Sequence, residues 1–237
     1  MSAAPSSQTL LLDNLFWHAL IGPQAQFAAG HGDVRRFATG FSPIVGFADP
    51  AHPQLDALLP LCEPGEQFYC DGWSGEAPAG WQIDAEARMQ KMIWRAPIPA
   101  QDEAPEAVRL SAAQLPQILE LVGLTRPGPF GPRTIELGEY YGLVDPASGR
   151  LMAMAGERCA AGQLREISGV CTHPDFQGRG LAHRLMVKLI RRQMARGETP
   201  VLHVMSVNEG AIALDKRMGF DAHRESVVRV ISRREAA

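Results

Sequence analysis

The segment from Ile167 to Ala182, ISGVCTHPDFQGRGLA, joins an apolar strand pattern to a turn with two glycines and then to the start of a helix. Because this helix is expected to begin near Gly180, the amides of residues 180–183 have no intrahelical acceptor. Together with the positive end of the helix dipole, they favour an anion. Gly178 and Gly180 can adopt positive φ and leave room for a ligand against the backbone. With the positive charge of Arg179 between them, the segment predicts a phosphate-binding turn.

Two common phosphate-binding motifs do not fit this turn. A Walker loop needs GxxxxGK followed by Ser or Thr, and the sequence contains no such run. A dinucleotide fingerprint starting at Gly178 would need glycine or alanine at position 183, which is His183. The turn therefore matches neither a Walker nucleotide site nor a dinucleotide-binding site.

The residues after the turn predict a helix, a buried strand and a second helix. From Gly180 to Arg196 apolar residues recur with the period of a helix half buried on a sheet, and Gly197 is its expected cap. Residues 201–207, VLHVMSV, are an apolar and β-branched run that suits a buried strand. Asn208 is a suitable N-cap for the next helix, which is expected to end at Gly219.

Two motifs in this region resemble those of the GNAT superfamily of N-acetyltransferases. Gln177, Gly180 and Ala182 match the superfamily's acetyl-CoA signature QxxGxA, and the THP that precedes them is also similar. The later run NEGAIALDKRMGF resembles the closing segment NxxAxxLYxxxGF. The resemblance covers residues 166–220 and is greatest to the branch similar to glycine N-acyltransferases. It implies direct transfer of an acetyl group from acetyl-CoA to a primary amine of a small molecule or amino acid.

The resemblance also implies how coenzyme A would be held. The diphosphate is expected at the turn, and the pantetheine arm along the edge of the preceding strand, with an amide of Cys171 or Val170 donating to the thioester oxygen. The Cys171 thiol is not expected to act as a nucleophile, because the family transfers the acyl group directly. The expected cofactor-binding residues are Val170, Cys171, Thr172, Gln177, Gly178, Arg179, Gly180, Leu181, Ala182, His183 and Asn208.

Glu166 is the expected catalytic base. An alkylammonium group is protonated at neutral pH and must lose a proton before the amine can attack. Proteins that resemble this branch place a catalytic glutamate here, acting directly or through a water. The alternative interpretation is an ion pair of Glu166 with Arg158 or Arg165. His203 is a weaker candidate for the base, and a core histidine is its favoured interpretation.

Asp215 occupies the position at which the superfamily often has a tyrosine that protonates the leaving thiolate. An aspartate is ionised at pH 7 unless it is strongly perturbed, which makes it a poor proton donor. The thiolate would then leave unaided, or Ser206, Tyr140 or Tyr141 would supply the proton, or the site is impaired. This departure keeps a rival open, a non-catalytic acyl-CoA-binding or regulatory module.

The pattern of elements predicts a mixed α/β fold with a mostly antiparallel sheet. Residues 105–237 follow the order of the GNAT fold: a helix opened by Ser111, an antiparallel meander, the turn with its helix, and a final strand at residues 227–232. Residues 96–107 are proline-rich and acidic, as in a linker. Residues 1–104 are therefore predicted to form a smaller N-terminal domain. The resemblance implies that this domain is a degenerate GNAT-like copy, which either walls the acceptor pocket or serves only as structural support.

Composition narrows the class of protein. Net charge is −8 over residues 1–163 and +5 over residues 164–237, which together give the −3 of the whole chain and suit a polyanionic ligand at the basic end. The pI near 6.2 and the lack of a basic stripe with aromatics disfavour nucleic-acid binding.

No apolar run is long enough for a membrane span, and the four cysteines show no metal-ligand spacing. A cytoplasmic location without a metal is expected, while the acceptor and the oligomeric state stay open.

Overall fold

The computed structural model of the protein describes residues 7–63 and 65–234. These residues form five α-helices, a large sheet of eight strands and a small sheet of three. The helices are α1 (Ser7–Asp13), α2 (Leu15–Ile21), α3 (Leu115–Thr125), α4 (Leu181–Ala195) and α5 (Glu209–Met218). The strands are β1 (Ala28–Ala29), β2 (Val34–Phe37), β3 (Val45–Phe47), β4 (Gln67–Asp71), β5 (Trp81–Trp94), β6 (Val108–Arg109), β7 (Tyr140–Val144), β8 (Leu151–Ala161), β9 (Leu164–Thr172), β10 (Thr199–Met205) and β11 (Phe220–Arg233).

The large sheet has the strand order β4-β11-β5-β10-β9-β8-β7-β6. Among its described strands, β9 and β10 are the only parallel neighbours, which confirms the predicted mixed α/β fold with a mostly antiparallel sheet. Their pairing joins residues 164–167 to residues 199–202 and goes no further, although both strands continue. The two strands therefore separate beyond Ile167 and Leu202, which leaves a gap in the middle of the sheet.

Helices cover both faces of the sheet around this gap. Side chains alternate along a strand, so neighbouring residues of β10 face opposite ways. Leu202 packs with Leu185 and Leu189 of α4, whereas Val201 packs with Leu15 of α2. Helix α4 and the N-terminal helices therefore stabilise the same two strands from opposite sides.

Most elements predicted from local patterns are present within a few residues of their expected bounds. Ser111 and Gln114 form a capping box at the start of the turn that leads into α3. One feature that the predicted order does not include is a 3₁₀ turn at residues 134–137, directly before β7. Another difference is β11, which is much longer than the predicted strand because all of it pairs with the long strand β5.

Strand β5 comes from the N-terminal part of the chain but lies inside the large sheet. It pairs with β10 on one side and with β11 on the other. The predicted domain boundary after residue 104 therefore runs between strands of one sheet. The division into two domains, and the interpretation of residues 1–104 as a degenerate copy, stay predictions.

A buried ion pair fastens the N-terminal helices to this sheet. Lys91 of β5 is 1% exposed, and its ammonium lies 2.5 Å from a carboxylate oxygen of Asp71 on β4. The same ammonium donates to the carbonyl oxygens of Leu12 at 3.4 Å and Asp13 at 2.6 Å, at the end of α1. A cation is favourable at a helix C-terminus, so Lys91 joins α1, β4 and β5.

Within the described residues, no helix is long and apolar enough to cross a membrane.

Candidate functional site

The turn before α4 has the geometry of an anion site. Gly178 and Gly180 have φ of 76° and 69°, and a Cβ added at either would meet no described atom within 4 Å. Helix α4 begins without a side-chain cap. The backbone amides of the six residues 178–183 donate to no acceptor among the described residues. Consecutive unpaired amides with open space before them match the phosphate-binding turn that the sequence predicts.

A cavity of about 650 Å³ occupies the gap between β9 and β10 and reaches the turn. Of the predicted cofactor-binding residues, it is lined by Val170, Cys171, Thr172, Gln177, Ala182 and Asn208. The other five predicted residues do not line the cavity but lie next to it, in the turn and the first part of α4. They are Gly178, Arg179, Gly180, Leu181 and His183. The structure thus brings the predicted set together around the gap between β9 and β10.

Several of these side chains have other partners, which limits what they can offer a ligand. The Leu181 side chain is buried in the core, so only its amide is free. The Asn208 side chain accepts from the Ala211 amide at 3.1 Å, as a helix N-cap. His183 lies 3.0 Å from Glu103. Burial raises the pKa of the Cys171 thiol to about 11, so this thiol stays protonated and is a weak nucleophile.

Glu166 is enclosed by two partners. Its side chain is completely buried and does not line the cavity. Arg158 donates to both carboxylate oxygens, from Nη2 to Oε1 at 2.6 Å and from Nε to Oε2 at 3.0 Å. Burial raises the pKa of Glu166, but the charge of Arg158 and the hydrogen bond from His203 outweigh it and bring this pKa well below its usual range. The ion pair with Arg158 is therefore present, Arg165 pairs with Glu198 instead, and a base role for Glu166 stays a prediction.

His203 is the second partner of Glu166 and does line the cavity. Its Nδ1 lies 2.7 Å from Oε1 of Glu166, and the ring packs 5.2 Å from the ring of Phe16. Its other nitrogen, Nε2, is buried and has no hydrogen-bond partner among the described residues. The expectation of a satisfied core histidine is therefore met at one nitrogen only.

Two further features of the cavity wall have no clear signal in the sequence. Gly169, with φ of 63°, lies at a bulge in β9, where residues 169 and 170 interrupt the pairing with β8. Such bulges re-aim neighbouring side chains and are common beside active sites. Arg126 lines the cavity with φ of 47°, which is unusual for a residue other than glycine. Met89 of β5 also lines the cavity, while the role of residues 1–104 as a wall of the acceptor pocket stays a prediction.

Asp215 lines the cavity from α5 and is 5% exposed. No described side chain forms a hydrogen bond or ion pair with it, and burial raises its pKa to about 6. Its carboxyl is therefore mostly ionised at pH 7, although less completely than an exposed aspartate. None of the three alternative proton donors lines the cavity. Ser206 donates to Glu225, Tyr140 is buried and Tyr141 packs beside Lys188.

The raised pKa of Asp215 predicts a pH-dependent stability. Because the folded-state pKa of about 6 is above the ordinary 3.8, the folded protein binds this proton more tightly than the unfolded chain does. The stabilisation is complete below about pH 4 and is lost as the pH rises through about 6. Asp215→Asn should remove this loss and stabilise the protein above about pH 7 by at most about 3 kcal/mol. Urea unfolding of both proteins across this pH range measures the effect, and parallel pH curves would contradict it.

Comparisons with known proteins agree with this architecture. Residues 140–230 match the family described as FR47-like protein. The chain is similar to a protein from Novosphingobium aromaticivorans that is described as an acetyltransferase of the GNAT family, with 34% identity, a TM-score of 0.86 and coverage of 94% of this chain and 99% of that one. A search of curated protein sequences finds no match.

More distant structures share the fold. A GCN5-related N-acetyltransferase from Kribbella flavida is 13% identical, with a TM-score of 0.58 and coverage of 98% of both chains. A GCN5-related N-acetyltransferase-like protein from Streptococcus suis is 15% identical, with a TM-score of 0.59 and coverage of 93% of this chain and 92% of that one. The sheet that separates at β9 and β10, with the turn at its gap, thus defines a protein of the GNAT fold class. Given the 34% identical relative, the chain belongs to the GNAT family.

Proposed function

We propose that the protein transfers an acetyl group from acetyl-CoA to the primary amine of a small molecule or amino acid by direct attack. The observation that carries this proposal is the run of six unpaired amides at residues 178–183, placed where the cavity ends. A diphosphate offers the acceptors that these amides lack. Membership of a family of acetyltransferases supports the same reaction class.

The rest of coenzyme A would lie in the cavity and along the turn. With the diphosphate on the turn, the pantetheine arm would lie in the cavity along the unpaired edge of β9 at residues 170–172, as an added strand does. Arg179 supplies a positive charge at the turn. Leu181 and His183 would contribute through their amides, and Asn208 by supporting the start of α5.

The thioester end would then lie near the bulge in β9. An amide of Cys171 or Val170 would donate to the thioester oxygen as negative charge develops during attack by the amine. The sulfur leaves with its electron pair without a strong acid nearby, because thiols have a pKa near 8.5 and are tolerable leaving groups.

Two further observations support an acceptor class and a location. The resemblance of residues 166–182 to glycine N-acyltransferase-like proteins supports a small amine or amino acid as acceptor. All four cysteines lie in the described residues as free thiols, which supports a reducing compartment such as the cytoplasm.

One specific observation favours a non-catalytic acyl-CoA-binding module instead. Asp215 stands where the family often has its proton donor, and none of the three alternative donors lines the cavity. Such a module would bind acetyl-CoA but would not release its thiol in the presence of an amine.

Turnover separates these two functions. Free thiol released from acetyl-CoA is measured across a panel of small amines and amino acids, with acetyl-CoA binding followed by calorimetry in the same buffer. We expect binding together with amine-dependent thiol release for at least one acceptor. Binding without release for any acceptor would support the module, and no saturable binding would exclude both functions.

A further inference from the structure

We infer that Nε2 of His203 is the group that takes the proton from the acceptor amine, and that Glu166 and Arg158 position it. This inference deepens the proposed function and rests on it. It begins from a buried nitrogen that has no partner among the described residues, on a residue that lines the cavity. A buried polar atom without a partner is unfavourable, so a ligand N–H that reaches it gains a hydrogen bond that the protein alone does not supply.

The tautomer of His203 follows from its partner. Glu166 is ionised, since its pKa lies far below neutral, and an ionised carboxylate can only accept hydrogen bonds. The 2.7 Å contact therefore requires the hydrogen of the neutral ring on Nδ1. This leaves the lone pair on Nε2, the nitrogen without a partner, which is the arrangement a general base needs.

Arg158 keeps Glu166 ionised, which is the form that accepts the hydrogen bond from His203. Its two hydrogen bonds hold both carboxylate oxygens, and it also lines the cavity. Because Arg158 already balances the charge of Glu166, the carboxylate needs only a hydrogen bond from Nδ1 of His203. Lys91 faces His203 across the β5 and β10 pairing, but its charge is balanced by Asp71. Glu166 is thus a positioning residue, rather than the group that touches the amine.

The proposed step balances in atoms and charge. Nε2 accepts one proton from the ammonium form of the acceptor, and the freed lone pair forms the C–N bond at the thioester carbonyl carbon. The C–S bond breaks and the sulfur leaves with its electron pair. A second nitrogen proton passes through solvent to the thiolate, and the imidazolium returns its proton to water. The products are the amide, the free thiol and one proton.

His203→Asn tests this role, because its amide can still donate to Glu166 while it offers no basic nitrogen. With an alkylamine acceptor we expect kcat to fall by about 100-fold or more, within the range for loss of a general base, while the Kd for acetyl-CoA is unchanged. The loss should shrink for a weakly basic amine that is already neutral at the assay pH. The loss should also shrink as the assay pH rises, because a larger fraction of the acceptor amine is then neutral without help from a base.

His223→Asn is the matched control. His223 also contacts a carboxylate, at 2.9 Å from Asp13, but it does not line the cavity. It should keep the activity and the pH profile of the unmodified protein. In His203→Ala, added imidazole should restore part of the rate in a saturable way, which a purely structural role would not produce.

The failure of this inference is distinguishable from that of the proposed function. If the unmodified protein acetylates an amine and His203→Asn keeps its rate and pH profile, His203 is not the base. An equal loss for strongly and weakly basic amines, with no rescue by imidazole, would also overturn the inference. If the unmodified protein acetylates no amine, the proposed function fails and this step fails with it.

Discussion

Valine in place of Gly180 should weaken the binding of acetyl-CoA by at least about 30-fold, equivalent to about 2 kcal/mol. Two effects act together. A β-branched residue is strained at φ of 69°, and its side chain would occupy the open space in front of the turn, where the proposed diphosphate lies. Isothermal titration calorimetry with acetyl-CoA measures the change.

Gly197 provides a closely matched control for this experiment. It follows the other end of α4, has φ of 75°, and likewise has no atom within 4 Å of an added Cβ. Gly197→Val therefore carries a similar backbone strain but lies outside the cavity wall. It should lower the melting temperature about as much as Gly180→Val and leave the affinity intact. Equal affinity for the two variants would exclude the turn as the diphosphate site.

Methionine in place of Lys91 should lower the free energy of unfolding by about 3–5 kcal/mol, as expected when one partner of a buried ion pair is removed. Asp71 would be left as a buried charge, and the carbonyl oxygens of Leu12 and Asp13 would lose their donor. Urea unfolding measures this loss. Adding Asp71→Asn should recover part of it, because the unpaired charge is then absent.

Arg88 on the same strand supplies the comparison for Lys91. It pairs with Glu225 at 3.1 Å, but its side chain is 66% exposed. Exposed pairs contribute little because water screens both charges, so Arg88→Met should hardly change the unfolding midpoint. A similar loss for both variants would show that the buried pair has no special role in stability.

The sequence predicts the fold of the turn and of α4 because the signals for them are local, while their role in binding a cofactor stays a prediction. The turn needs glycines at positions 178 and 180, α4 needs a repeating apolar face, and each of these is visible within one short segment. Residues 170–172 and 177 follow from the same segment. The structure places them together at the gap as expected.

The acid–base network could not be predicted in this way, because its members come from different elements. Arg158, Glu166 and His203 lie on β8, β9 and β10, and only the register of these strands brings the three side chains together. Desolvation of Asp215 is also a property of the packed cavity rather than of neighbouring residues in sequence. The position of β5 inside the large sheet could not be predicted either, because its partners β10 and β11 are distant in sequence.

The position of β5 and β4 in the large sheet has a consequence for how the chain acquires its structure during synthesis. Both strands are made early, but their ladder partners in this sheet, β10 and β11, are made more than a hundred residues later. Pairings between residues so distant in sequence form slowly, since a long loop must close first. The early strands therefore remain unpaired with these partners during synthesis. The cavity, whose wall includes Met89 of β5 and Asp215 of α5, can be completed only once α5 has left the ribosome.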